Sequence, residues 1–181
     1  EFWPEVDGEK VYWETCATFS GSWGYYRDEN TWKTNHELIS MIIETTSKGG
    51  NLLLNVGPTA RGSFDYRAEN ALEKIGTWMK ANGRSIYECT QAPESWKAPK
   101  GSMITYNPKK NRLYIHITDY KTGWLKLDNA VGKIKYAQFL HDNSEIKFQN
   151  HWDSKYPNDV VFSKPNLKPN IEIPVIEIFL N

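Results

Sequence analysis

No apolar run in this chain approaches the roughly 20 residues that a membrane-spanning helix needs. No block of lysine and arginine marks a face for nucleic acid or an anionic membrane. The 22 basic and 22 acidic residues cancel, so the net charge supplies no long-range attraction to a polyanion. With only Cys16 and Cys89 the chain cannot carry a disulfide framework; the two can pair, or stand as two buried thiols. Metal binding has no support, because the four histidines (His36, His116, His141, His151) and two cysteines fall at no ligand spacing. The opening EFWPEVDGEK has no methionine and none of the apolar stretch of a signal peptide. The chain has neither an internal repeat nor a low-complexity tract. At 181 residues it can bury one or two small cores.

What the chain does have is aromatic side chains, eight Trp, ten Tyr and seven Phe. The most informative stretch runs from Trp13 to Pro58, WETCATFSGSWGYYRDENTWKTNHELISMIIETTSKGGNLLLNVGP. It sets one carboxylate, Glu14, among Trp3, Trp13, Trp23 and Trp32. A sugar-cleaving site needs that combination: flat rings stack on the apolar face of a pyranose, and low polarity raises a carboxyl pKa towards the proton-donating range. A Trp-rich core edge with an incidental surface Glu fits the same residues.

The local patterns place this stretch on helices and a strand. Thr34-Asn35-His36-Glu37 is a capping box, in which Thr34 accepts from first-turn amides and Glu37 reaches back. Leu38, Ile42 and Thr45 then repeat at helical spacing beside Ile39 and Ile43, and Gly49-Gly50 ends the helix. Asn51 to Val56 reads as a strand buried on both faces, as in a parallel barrel. The loop after it, with Pro58 and Gly62, would lie at a strand's C-terminal end, where barrel sites are built. A second helix is predicted from about Asp65, its N-cap, to Asn82, with Ala68, Leu72, Ile75 and Met79 facing inwards. Pro93 and Pro99, with Lys97 and Lys100, mark a boundary. Beyond Gly101 the helical period gives way to short strands: Leu113, Ile115 and Ile117 in alternation, then Trp124–Leu127, Ile134–Leu140, Glu145–Phe148, Asp159–Phe162 and Val175–Leu180. Turn residues separate them, as in an antiparallel sandwich.

The blocks WETC, SWGY, KGGNLLLNVGPTARG, IGTWMKANG and SIY, in that order over roughly residues 13 to 90, closely resemble glycoside hydrolase family 29, the α-L-fucosidases. The resemblance implies α/β followed by all-β structure: residues 1–92 as the C-terminal part of a (β/α)8-like catalytic barrel, and 93–181 as a C-terminal β-sandwich. It implies a retaining hydrolysis of terminal α-linked L-fucose on a glycan or small fucoside, without a cofactor, in a secreted, periplasmic or lysosomal setting. It also gives Glu14, the Glu of the WE pair, the acid/base role, and makes Trp13, Trp23, Tyr25 and Trp32 candidates for the sugar contact, with core packing the alternative for Trp23, Tyr25 and Trp32. Asn55 could reach the same site, although a structural hydrogen bond is the expected use. The family's nucleophile is an Asp in an apolar strand-end context, which none of Glu1, Glu5, Asp7, Glu9, Asp28 or Glu29 shares, so it is expected upstream of residue 1. The family's fucose-binding barrel histidines have no counterpart before His36. A full barrel takes about 250 residues and a sandwich about 100 more. The rest of the barrel is therefore an expected partner, and a piece with open parallel edges should not persist alone. Where many relatives carry an acid after NG, this chain has Arg84, which puts a local salt bridge in question. Trp96, Trp124 and Trp152, with Tyr114 and Tyr120, offer either a sugar-binding face or sandwich core. A non-catalytic carbohydrate-binding or accessory module is the alternative reading of the whole chain.

Overall fold

The computed structural model describes residues 4–181, so Trp3 lies outside the described residues. A two-residue ribbon opens it, β1 (Glu5–Val6) against β2 (Glu9–Lys10). Asp7 (φ 53°) and Gly8 (φ 81°) make its turn, the left-handed pair that an Asp-Gly sequence accepts. A βαβα unit comes next: β3 (Glu14–Thr18), α1 (Asn35–Ser47), β4 (Asn51–Asn55) and α2 (Tyr66–Asn82). β3 and β4 pair in parallel, from Glu14 opposite Asn51 to Thr18 opposite Asn55.

The helix signals act as the sequence predicts. Thr34 Oγ1 accepts from the Glu37 amide at 3.2 Å while Glu37 Oε2 accepts from the Thr34 amide at 2.7 Å. Gly49, at φ 72°, turns the chain out of α1. Asp65 caps α2 by accepting from Arg67 N at 2.9 Å. The inward stripe of α2 differs from the expected one. It runs through Ala68, Ala71, Ile75, Trp78 and Asn82, and Leu72 is left 39% exposed. Trp78 decides this, because its large ring reaches the neighbouring sheet and its Nε1–H donates to Ile173 O at 2.9 Å.

The second half holds seven strands: β5 (Ser102–Asn107), β6 (Arg112–Ile117), β7 (Leu125–Leu127), β8 (Ile134–Phe139), β9 (Lys147–Asn150), β10 (Val160–Ser163) and β11 (Val175–Leu180). They form an antiparallel sheet ordered β5-β6-β11-β8 and another ordered β7-β10-β9. The two enclose a core that includes Leu113, Ile115, Ile117, Leu127, Phe139, Phe162 and Ile178.

The helices cover the outer face of the four-stranded sheet. Ile39 and Ile43 of α1 and Trp78 of α2 share one buried cluster with Tyr114, Leu140, Ile173 and Val175. Tyr114 and His116, which alternate with Leu113, Ile115 and Ile117 along β6, are therefore fully buried. Arg84 does form an ion pair, 3.4 Å from the carboxylate of Glu177 on β11. The β3–β4 pair is covered on one side only. Leu52 and Leu54 turn to the helices, whereas Cys16 and Leu53 face the other way and Leu53 is 54% exposed. The expectation of a strand buried on both faces is thus met on one.

Candidate functional site

Beyond the C-terminal ends of β3 and β4 the chain builds a platform of loop residues. Thr18, Phe19 and Ser20 leave β3 fully or nearly buried, and the loop from Gly21 to Tyr26 folds across the end of β4. Two residues of the LLLNVGP segment hold that loop. Asn55 donates from Nδ2 to Trp23 O at 2.8 Å and to Thr18 Oγ1 at 3.4 Å. Gly57 lets the loop backbone touch it: a Cβ there would lie 2.5 Å from Tyr25 N. With its backbone held in this way, the loop presents Trp23 (58% exposed), Tyr25 (37%) and Tyr26 (57%) to solvent beside a narrow crevice. Lys33 supports the platform from below, its ammonium donating to Thr18 O at 2.8 Å and Ser20 O at 3.1 Å.

Glu29 and Arg67, neither expected at the site, complete it. Glu29 is buried, and its Oε1 accepts from the Thr31 hydroxyl at 2.6 Å and the Thr31 amide at 2.9 Å. These bonds hold its carboxyl below the ordinary value, so Glu29 stays ionised and is not a proton donor. Arg67 pairs with Asp65 at 2.8 Å, donates to Glu29 O at 2.9 Å and lies 4.7 Å from the centre of the Trp32 ring. Trp32 is thereby fixed between guanidinium and core, packing against Phe19, Leu38 and Ala71. Its buried indole N–H has no acceptor among the described residues. Local signals for this network are faint: Glu29-x-Thr31 and Asp65-x-Arg67 are short side-chain-to-backbone turns that many loops contain.

The other two expected residues stand at the opposite end. Glu14 is the first residue of β3, exposed, and opposite the first residue of β4. Four residues of extended chain, about 13 Å, separate it from Thr18, where the platform starts. Trp13 lies at that end too: its Nε1–H donates to Lys48 O at 3.1 Å, and its ring fills the space beside Gly50, 2.4 Å from where a Cβ would stand. Trp13 is a packing residue at the C-terminal end of α1. The structure therefore brings Trp23, Tyr25 and Trp32 together and places Trp13 and Glu14 apart from them.

The two thiols are free, with Cys16 exposed and Cys89 half-buried. Burial pushes the Cys89 thiol up to about 12.

Residues 3–84 match the α-L-fucosidase family model. The plasma α-L-fucosidase of Rattus norvegicus is 32% identical over 169 residues, which cover 86% of this chain and 34% of that protein. The α-L-fucosidase of Dictyostelium discoideum is 40% identical over 129 residues, covering 68% of this chain and 27% of that protein. Among solved structures, α-L-fucosidase isoenzyme 1 from Paenibacillus thiaminolyticus superposes with a TM-score of 0.88 at 35% identity, over 97% of this chain and 41% of that one. The chain spans about a third of the length of such curated relatives. Over most of its length, by sequence and by fold, this chain is similar to one part of the α-L-fucosidases.

Proposed function

We propose that the chain is part of a retaining α-L-fucosidase that releases terminal α-linked L-fucose from glycans. The observation that carries this reading is the platform at the parallel strand ends, where Asn55 and Gly57 hold the SWGY loop so that Trp23 and Tyr25 face solvent together. Strand C-terminal ends are where a (β/α)8 barrel builds its site, and exposed rings held from behind suit the apolar face of a deoxy sugar. In this reading residues 1–92 are the end of the barrel and 93–181 the accessory sandwich. The uncovered face of β3–β4, with Cys16 and Leu53, meets the barrel interior. A groove of about 580 Å³ lined by Leu52 and Leu54 of β4, with Ile42, Met79 and Ile86, receives a neighbouring strand.

A retaining glycosidase needs two carboxyls about 5 Å apart at the anomeric carbon, one to attack and one to shuttle the proton. Glu14 starts a strand whose other end carries the sugar platform, so its place in the fold argues against the acid/base role that the WE pair suggests. Glu29, at the right end, is committed to Thr31. Both catalytic carboxyls then come from outside residues 4–181, and this chain supplies the wall against which the sugar stacks.

The test is hydrolysis of fucosides by the fucosidase containing this chain. Trp23→Ala should raise KM at least about tenfold, the loss of roughly 1.4 kcal/mol of stacking. Glu14→Gln should leave kcat on an alkyl fucoside within about threefold of the parent. If Glu14→Gln instead abolishes turnover of alkyl fucosides, spares activated aryl ones and is rescued by azide, Glu14 is the acid/base after all.

A further inference from the structure

A second aromatic surface lies on the sandwich, on the outer face of the β7-β10-β9 sheet. Leu125 and Leu127 point into the core, so Trp124, Lys126 and Asp128 alternate to the outside. The turn after β9 folds back over this face and sets Trp152 against Trp124, ring centroids 5.6 Å apart and nearly edge to face. Both rings remain open to solvent, Trp124 at 52% and Trp152 at 63%.

The array is built rather than incidental. His151 stacks on Trp152 at 4.7 Å and meets Tyr156 at 4.8 Å. The His151 ring is itself fixed, because its Nδ1 accepts from the Asp153 amide at 3.0 Å. Lys126 lies 4.7 Å from the Tyr156 ring centre and is held by Asp128 and Asp159. Large exposed rings fixed from behind lose little freedom when a ligand covers them.

Trp124 also lines a cavity of about 360 Å³ with Lys97, Lys100, Lys126 and Asp128. Among the described residues the lysine ion pairs go to Lys48, Lys109, Lys121 and Lys126, which leaves Lys97 and Lys100 without a carboxylate. The site therefore offers a stacking surface on one side and unmatched positive charge on the other. We infer that it binds an acidic glycan, with a pyranose ring on Trp124 and Trp152 and its carboxylate or sulfate facing Lys97 and Lys100. The platform at the β3–β4 ends plays no part, so this inference stands or falls independently of the fucosidase reading.

Native electrophoresis of the fucosidase containing this chain, in gels with polygalacturonate, with galactomannan or with no polymer, reads binding without turnover. The expected result is retardation by polygalacturonate alone, lost in the Trp124→Ala/Trp152→Ala double variant and cut at least about fivefold in Lys97→Gln/Lys100→Gln. The lysine pair is exposed, so that variant tests the site even where the tryptophan variant misfolds. Equal retardation by both polymers would assign the surface to neutral sugars and overturn the acidic class. Retardation that survives loss of both tryptophans in a folded protein, or no retardation of the parent, would overturn the site itself.

Discussion

A methyl group on Gly57 would lie 2.5 Å from Tyr25 N and 2.6 Å from the carbonyl carbon of Gly24. Backbone atoms cannot swing aside as a side-chain end can, so Gly57→Ala should displace the SWGY loop at a cost of about 1–3 kcal/mol. Gly24→Ala, in the same loop, meets nothing within 4 Å and serves as the control. Expected are a lower urea midpoint and a raised KM for fucosides in Gly57→Ala, with Gly24→Ala near the parent in both; equal behaviour would show that the close approach does not position the loop. Residues such as Gly57 are poorly legible in sequence because the group each must accommodate is far along the chain. Glu14 shows the converse. Read along the chain it sits amid tryptophans, but the extended strand puts about 13 Å between it and Thr18, where the loop carrying Trp23 begins, and Trp13 is turned to Lys48 and Gly50. That Trp23 and Tyr25 lie together was legible because the motif that contains them is itself the loop.

Elements were more readable than side chains. The capping box of α1, the Asp65 cap of α2 and the glycine stop at Gly49 depend on three or four consecutive residues, and each is present as read. Thr34→Ala should therefore cost about 1 kcal/mol and Thr34→Ser almost nothing, measured as shifts in the urea midpoint. An equal loss from both would mean that the Thr34 methyl, not the hydroxyl, does the work. Where a face is chosen by a distant partner, reading failed in part. Periodicity favours Leu72 for the interior of α2, but the sheet beyond selects Trp78, and the same contact buries Tyr114 and His116. Among the sandwich aromatics, Tyr114 belongs to the core, while Tyr120 donates to Pro165 O at 2.6 Å. Trp124 and Trp152 meet at the surface.

Over the whole molecule, helices and sheets share one core, so the proline-marked boundary near residue 93 is not a hinge between independent bodies. His116 sits at that junction, 6.3 Å from the Trp78 ring and 3.0 Å from Thr105 Oγ1. Thr105 gives its own proton to Ser85 O, so His116 Nε2 is the donor and Nδ1 is left without a partner. Burial pushes the imidazole down to about 3. The folded protein thus refuses a proton that the unfolded chain accepts at its ordinary value near 6.5. Stability from the neutral ring is fully present above that value and is lost as pH falls towards 3, at no more than about 1.4 kcal/mol per pH unit. The urea midpoint should fall less between pH 7 and 4.5 in His116→Gln than in the parent. Equal falls would remove His116 from the acid sensitivity.

One consequence of the topology concerns synthesis. β11, the latest element in chain order, lies in the middle of its sheet, between β6 and β8. Ile173 and Val175, just before and at its start, are part of the surface on which α1 and α2 rest. On the ribosome, β3, α1, β4 and α2 emerge roughly a hundred residues before that surface exists, a delay of several seconds at about 5–20 residues per second. Through that interval the apolar sides of α1 and α2 that will rest on the sheet have no backing. The nascent chain must keep Trp78, Ile39 and Ile43 from other partners until β11 slides between two strands that are already waiting.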